Sequence, residues 1–274
     1  MAERALDEEG GAQVKDKGLK VAISGKGGVG KTTLAALLAE ALGQMGWQVL
    51  AVDADPDANL AQALGIDASG LVPVSQMNEL IAERTGAPAG SVGSFFNLNP
   101  RVDDLPEKLT VAKGPIRLMV LGTIPKGGAG CICPASALLK ALLMHMVFGR
   151  KEAVVVDMEA GLEHLGRATS RGMDSLIVVV EPGRRSIETA HQIRRLAADL
   201  GIKNVVAVGN KLRGEHDEQF LARELAPIPL LATMNYDPAL VEADIHSTPL
   251  AEASASGLKT AKALAEKLIE MSGS

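Results

Sequence analysis

The stretch GKGGVGKT at residues 25 to 32 decides the fold, because it stands between a strand-like run and a helix-like run. The run LKVAIS before it is apolar and rich in short side chains, and TTLAALLAEALGQM after it repeats apolar residues at helical spacing. In that context the pattern G-x-x-x-x-G-K-[ST] predicts a loop whose backbone N–H groups surround phosphate at a helix N-terminus. We therefore predict a P-loop that binds nucleotide.

Each residue type in this loop has a predicted role at the phosphates. The glycines let successive N–H groups turn inward, Lys31 reaches the β- and γ-phosphates of ATP, and Thr32 supplies a hydroxyl to magnesium. A glycine-rich turn that binds nothing is the alternative, but both strand and helix stand where the motif demands them. The residues predicted to contact nucleotide here are Gly25, Lys26, Gly27, Gly28, Val29, Gly30, Lys31, Thr32 and Thr33.

Short apolar runs alternate with longer helical patterns along the rest of the chain. Continuous apolar runs of this kind are typical of parallel strands that are buried on both faces. We predict an α/β fold with a doubly wound, mostly parallel sheet. The predicted strands are 19–24, 48–52, 116–121, 153–157, 176–180 and 204–208, and the predicted helices include 32–45, 135–148, 186–200 and 260–271.

Two segments differ in composition from this alternating pattern. Residues 1–18 are polar, charged and glycine-containing, which predicts a disordered tail. Residues 66–115 are richer in Gly, Pro, Asn and Ser, which predicts an insertion on the rim of the sheet. We predict that residues 19–274 form a single domain that carries this insertion.

The composition argues against several classes of partner. The 274 residues include 47% hydrophobic and only 2% aromatic side chains, so the core must be aliphatic. A net charge of -5 argues against a large basic surface for nucleic acid or anionic lipid. No apolar run of about 18 residues and no signal peptide is visible. We expect a cytoplasmic protein with no nucleic-acid and no membrane partner.

A second lysine, Lys26, lies inside the loop. In this respect the chain resembles the deviant Walker A ATPases, a family that includes nitrogenase iron protein and the Min and Par ATPases. The resemblance implies a homodimer in which Lys26 reaches the partner's ATP and neutralises charge that develops during phosphoryl transfer. A solvent-exposed loop lysine without such a role is the alternative.

Carboxylates follow at two further strand ends. The run VDADPDAN contains Asp53 and Asp55, and AVVVDMEAG places Asp157 at a strand end in the manner of Walker B. The resemblance implies that Asp55 orients the attacking water, that Asp53 helps to hold the magnesium shell, and that Gly161 offers an N–H to the γ-phosphate. It thus predicts magnesium-dependent hydrolysis of ATP to ADP and phosphate, with Lys26, Lys31, Asp55 and Asp157 as catalytic residues.

Asn210 and Lys211 follow the last predicted strand, where related ATPases place an asparagine against adenine. We interpret them as nucleotide-binding residues, with a turn at the strand end as the alternative. The sequence MNYDP from Met234 departs from the family, whose members usually have a proline before the tyrosine.

The cysteines Cys131 and Cys133 form a C-x-C pair in a glycine-rich loop before a helix. That position lowers thiolate pKa values and favours metal binding, although two ordinary core cysteines are the alternative. One pair provides two soft ligands, which is half of what a closed site requires, so a two-fold axis would provide the rest. We predict a metal site that is shared across the dimer and takes nickel, with zinc possible.

Four segments narrow the resemblance to the CooC-type ATPases: NLNPRVDDL from Asn97, KGGAGCIC from Lys126, RKEAVVVDMEAGLEHLGR from Arg150 and VVEPGRRSI from Val179. The resemblance implies a nickel-inserting chaperone whose client is carbon monoxide dehydrogenase or acetyl-CoA synthase. Two other functions remain open for this fold: an iron-sulfur carrier or electron-transfer ATPase, and a positioning ATPase of the Min or Par type.

Overall fold

The computed structural model describes residues 18–55, 57–89, 91, 95–102, 104–105, 108–122, 134–145, 151–159 and 173–273. Within these ranges the strands belong to one sheet. They are β1 (Leu19–Gly25), β2 (Gln48–Ala54), β3 (Val111–Lys113), β4 (Ile116–Val120), β5 (Glu152–Met158), β6 (Ser175–Val180), β7 (Val205–Leu212) and β8 (Leu230–Asn235).

Helices flank this sheet on both faces. In the described ranges they are α1 (Lys31–Gln44), α2 (Leu60–Leu64), α3 (Asn78–Thr85), α4 (Pro134–His145), α5 (Arg184–Leu200), α6 (Glu215–Glu224), α7 (Pro238–His246), α8 (Leu250–Ala253) and α9 (Ala255–Gly273). A 3₁₀ turn at Val74–Gln76 precedes α3.

The sheet has the order β3-β4-β2-β5-β1-β6-β7-β8. All neighbouring strands are parallel except β3, which pairs antiparallel with β4. Six of these strands were predicted, because β1, β2, β4, β5, β6 and β7 are nearly continuous apolar runs. The predicted fold class, a mostly parallel α/β sheet, is confirmed.

Two aliphatic layers hold the helices against the sheet. One layer joins α1 and α9 to one face of the strands, and the other joins α4, α5 and α6 to the opposite face. Trp47 is buried among aliphatic side chains in the first layer. Successive strand residues alternate between the two layers, so Val155 lies in the first and Val154 in the second. Both faces of the sheet are therefore covered by aliphatic side chains.

The segment predicted as an insertion contains the 3₁₀ turn, α3 and β3. Arg84 binds Asp104 through two hydrogen bonds of 2.8 Å, which holds part of this segment together. The insertion stays a prediction, and the predicted tail lies, apart from Gly18, outside the described residues. In the described part of the chain, no helix is long and apolar enough to cross a membrane.

Candidate nucleotide-binding site

The site lies at the edge of the sheet where the parallel strands end. Asp53 of β2 is in register with Asp157 of β5, and Gly25 of β1 is in register with Val179 of β6. Because these strands are parallel, their carboxyl ends lie at the same edge of the sheet. Ligands of open α/β sheets bind at this carboxyl edge.

The P-loop connects β1 to α1 with a left-handed backbone that requires glycine. Gly28 has a φ of 78° and Gly30 a φ of 97°. A Cβ at Gly30 would overlap the Asn210 side-chain amide, whereas a Cβ at Gly28 would meet nothing. Gly30 is thus packed against the protein, while Gly28 faces the open side, where a phosphate can approach the backbone.

Lys31 and Thr32 begin α1 and point into the same space. The Lys31 residue is only 7% exposed. The Thr32 hydroxyl donates a 2.6 Å hydrogen bond to Oδ2 of Asp157, which joins the first turn of α1 to the end of β5. A hydroxyl and a carboxylate are thereby placed together beside the P-loop.

Asp157 is fully buried, and its second oxygen, Oδ1, has no hydrogen-bond partner among the described residues. Buried polar atoms are nearly always hydrogen-bonded or bound to a cation, so this oxygen is a candidate cation ligand. Magnesium takes oxygen ligands of this kind, and the Thr32–Asp157 pair fits it. Burial raises the pKa of Asp157 to about 7; the Thr32 hydrogen bond opposes this rise, and the charge of Asp53 adds to it.

Asp53 is also fully buried, but both of its oxygens are used by backbone groups. Oδ1 accepts from the N–H of Asp55 at 3.2 Å and Oδ2 from the N–H of Leu60 at 2.9 Å. Burial raises the pKa of Asp53 to about 6, although these two hydrogen bonds oppose the rise. Asp53 therefore fixes the loop after β2 in place.

Asp55 lies on that loop at the mouth of the site. Its Oδ1 accepts from the N–H of Asp57 at 3.1 Å, and its carbonyl accepts from Ala58 at 3.1 Å. Asp55 is partly exposed and lines the cleft next to the P-loop. Its free oxygen can accept a hydrogen bond from water there.

Asn210 and Lys211 attach the end of β7 to the P-loop. The Asn210 amide donates to the carbonyl of Val29 at 2.8 Å, and Nζ of Lys211 donates to the carbonyl of Gly28 at 2.6 Å. The oxygen of the Asn210 amide accepts from the N–H of Lys211 at 2.8 Å. The sequence predicts that this pair binds nucleotide, with a strand-end turn as the alternative, and the structure shows that it braces the P-loop.

Lys26 differs from the other charged residues of the loop. Its side chain is 39% exposed, and Nζ lies 3.6 Å from Oε1 of Glu181, just after β6. The described residues that line the cleft include Gly27, Gly28 and Lys31 but not Lys26. Among the described residues, Lys26 thus contacts Glu181 and does not line the cleft.

A cleft of about 640 Å³ continues from the P-loop toward α7 and α8. Tyr236, which is 50% exposed, and Val241, which is 46% exposed, offer apolar surface at its far end. The cleft thus joins a glycine-rich, polar end at the P-loop to a partly apolar end at Tyr236 and Val241, which suits a ligand with phosphates and a flat ring. The sequence did not assign base-contacting residues at this end of the cleft, because the MNYDP loop departs from the family pattern.

The chain matches the model of the CobQ/CobB/MinD/ParA nucleotide binding domain over residues 20–250. It is 46% identical to the carbon monoxide dehydrogenase accessory protein CooC of Rhodospirillum rubrum, over 93% of this chain and 98% of that protein. The chain belongs to the CooC-type nucleotide-binding proteins. An uncharacterised ATP-binding protein of Methanocaldococcus jannaschii is 43% identical to this CooC-type chain, over 85% of it and 91% of the relative.

More distant relatives share the fold of this CooC-type protein. The MinD cell division protein of Aquifex aeolicus superposes with a TM-score of 0.66 at 20% identity, covering 92% of this chain and 97% of that one. An iron-sulfur cluster carrier protein of Methanococcus maripaludis is 26% identical, over 76% of this chain and 66% of that protein. The recognition of a P-loop ATP-binding protein of the CooC type is confirmed.

Three predicted site residues of this CooC-type chain lie outside the described residues: Gly161, Cys131 and Cys133. Within the part that is described, no group of three or more His, Cys, Asp or Glu side chains could hold a metal ion. Glu181, which contacts Lys26, is a residue to which sequence reasoning gave no role. Its only sequence signal is that it directly follows an apolar, strand-like run.

Proposed function

We propose that this protein is an ATP-hydrolysing nickel chaperone that dimerises around ATP and assists nickel insertion into carbon monoxide dehydrogenase-type metalloclusters. The observation that carries this proposal is the near full-length similarity to CooC. The C-x-C pair of Cys131 and Cys133 supports it, because thiolates are soft ligands suited to nickel. Nickel is cargo in this proposal, and the client is a carbon monoxide dehydrogenase or acetyl-CoA synthase.

The catalytic step follows from the groups around the P-loop. Thr32 and Asp157 would hold magnesium, which, when bound, neutralises charge on the β- and γ-phosphates. Lys31 binds the same phosphates from the first turn of α1, and the N–H groups of the loop surround them. These groups hold the triphosphate in one orientation, which is the larger part of catalysis in phosphoryl transfer.

Asp55 supplies the remaining polar group on this side of the cleft. Its carboxylate accepts a hydrogen bond from a water molecule and holds it in line with the γ-phosphate. The water oxygen then bonds to the γ-phosphorus as the bond to the β–γ bridging oxygen breaks, which gives ADP and phosphate. The proton released passes to phosphate or solvent.

Lys26 enters this step from a second copy of the chain. Its ammonium lies outside its own cleft, so it is available to neutralise charge on the partner's triphosphate. A lone subunit therefore hydrolyses ATP slowly. ATP favours the dimer because each nucleotide then contacts both subunits.

The metal would favour the same dimer. Bringing two C-x-C pairs together places thiolates side by side, and each like-charge contact at about 4 Å costs about 4 kcal/mol at an effective dielectric of about 20. A bound cation removes that repulsion. Metal and ATP are then coupled through one association equilibrium, so hydrolysis that separates the subunits also opens the metal site.

Anaerobic gel filtration with metal analysis tests this carrier cycle. Wild type should elute as a dimer when nickel is added and should retain one nickel per dimer, whereas Cys131→Ser should do neither. ATP binding by Cys131→Ser provides the folding control, and wild type with magnesium alone provides the metal control. Nickel-dependent dimerisation of Cys131→Ser that equals wild type would contradict the proposal.

An iron-sulfur carrier is the second candidate, because several relatives bear that name. A bridging cluster would also use two cysteines from each subunit. Anaerobic purification distinguishes the candidates: a carrier of clusters is brown and contains iron and sulfide, while a nickel chaperone is colourless until nickel is added.

A further inference from the structure

The surroundings of Lys26 contain a feature that the proposed cycle leaves unexplained. Its ammonium lies 3.6 Å from the Glu181 carboxylate, and the two side chains are 39% and 33% exposed. The proposed function requires Lys26 to reach the partner's triphosphate instead. The lysine cannot bind both anions at once, so Glu181 competes with the phosphates for it.

The position of Glu181 is set by the sheet. Gly25 is in register with Val179 on the adjacent strand, so the residues that follow β1 and β6 emerge side by side. The N–H of Glu181 donates to the hydroxyl of Ser186 at 3.1 Å, and Ser186 is only 3% exposed. This bond holds the turn between β6 and α5, so the carboxylate stays beside the P-loop.

The contact itself is loose. Its separation exceeds the length of a charge-assisted hydrogen bond, which is about 2.7–2.9 Å. Exposed ion pairs of this kind are worth about 1.4- to 5-fold in an equilibrium. Such a pair restrains a lysine without preventing its release, which suits a group that must change partners in every cycle.

We infer that Glu181 is a positioning residue that holds Lys26 on its own subunit until a partner carrying ATP takes it over. This inference rests on the proposed action of Lys26 across the dimer. Each symmetric dimer releases two Lys26–Glu181 pairs when it forms. The effect on the association constant is therefore the square of the single-pair effect, about 2- to 25-fold.

The test measures ATP turnover against protein concentration for wild type and Glu181→Gln, with Glu188→Gln as the matched control. Glu188 is an exposed glutamate of α5, the helix that follows Glu181 in the chain. Loss of the resting contact should lower the protein concentration for half-maximal turnover about 2- to 25-fold in Glu181→Gln. Glu188→Gln should follow wild type.

Added potassium chloride separates this role from a merely structural one. An exposed ion pair is screened within about 3 Å at about 1 M salt, so the curves of wild type and Glu181→Gln should converge as salt rises. A half-maximal concentration that is unchanged or raised in Glu181→Gln would overturn the inference, as would a difference that salt leaves intact. Wild-type specific turnover that does not depend on protein concentration would overturn the proposed action across the dimer as well.

Discussion

The inner and outer ends of the P-loop differ in how firmly the protein holds them. At the inner end, Thr32 is hydrogen-bonded to Asp157, Asp53 accepts from two backbone N–H groups, and both carboxylates are fully buried. At the outer end, Lys26 and Glu181 form a loose and partly exposed contact. The inner end is therefore fixed by buried hydrogen bonds, whereas the outer end is held only by an exposed ion pair, which is weak enough to exchange.

The largest effect is expected when Lys26, the lysine at the outer end of the P-loop, is removed. Lys26→Ala should lower ATP turnover about 10³-fold, the range expected for a cation that neutralises charge in the transition state. Its ATP affinity should remain near that of wild type, because Lys26 does not line its own cleft. Steady-state turnover and nucleotide titration measure the two quantities.

The exposed Lys259 of α9 offers a matched control, since Lys259→Ala removes a similar charge from a residue that does not line the cleft. Equal turnover in Lys26→Ala and Lys259→Ala would show that Lys26 takes no part in catalysis. If Lys26→Ala also bound ATP more weakly, Lys26 would contact the nucleotide in its own cleft. The inner and outer ends of the P-loop would then not differ in this respect.

The next effect concerns the buried carboxylate at the inner end. The folded pKa of Asp157, about 7, lies above its ordinary value of 3.8, so the folded protein binds more protons than the unfolded chain between these values. In EDTA, wild type should therefore lose stability as pH rises from about 4 to 7, by up to about 3 kcal/mol relative to Asp157→Asn.

Chemical denaturation of both proteins at pH 5 and pH 8 checks this prediction. The stability of Asp157→Asn relative to wild type should be greater at the higher pH, because asparagine carries no charge to desolvate. If wild type and Asp157→Asn differ in stability by the same amount at both pH values, ionisation of Asp157 costs the folded protein no stability. The inner end would then hold no unfavourable charge for a cation to neutralise.

A smaller effect is expected where β7 braces the loop. Asn210→Ala removes the donor to Val29 and leaves that carbonyl unpaired, which costs about 1–3 kcal/mol. The loss should appear as weaker ATP binding, about 5- to 100-fold, together with a lower melting temperature. Calorimetric titration and thermal unfolding measure them.

Asn204→Ala is the matched control, because Asn204 also donates its amide to a carbonyl, that of Asp174, at a place away from the P-loop. It should lower the melting temperature without changing ATP affinity. If Asn210→Ala and Asn204→Ala lose ATP affinity equally, the hydrogen bond from Asn210 to Val29 has no specific effect on the P-loop.

The inner end was largely predictable from the sequence, and the outer end was not. The P-loop, Asp53 and Asp157 follow directly after apolar strands, so local patterns place them at one edge of a parallel sheet. Glu181 meets Lys26 only because β6 pairs with β1, a neighbour relation that no local pattern contains.

Edge strands were harder for a similar reason. β8 is only half-buried, and β3 has three residues, so neither gives the continuous apolar run that identified the inner strands. The contact of Asn210 with the P-loop was also hidden, since a strand-end asparagine looks the same in the sequence whether it faces a ligand or the neighbouring loop.

The single tryptophan of the chain has a practical consequence for spectroscopy. Trp47 lies beyond the far end of α1 from the P-loop, where its backbone N–H donates to the carbonyl of Leu42 at 3.0 Å and the residue is 4% exposed. The helix α1 between Trp47 and the P-loop has 14 residues and is therefore about 21 Å long. Intrinsic fluorescence will therefore report loss of the aliphatic layer during unfolding and stay silent when nucleotide enters, so binding studies need a labelled nucleotide.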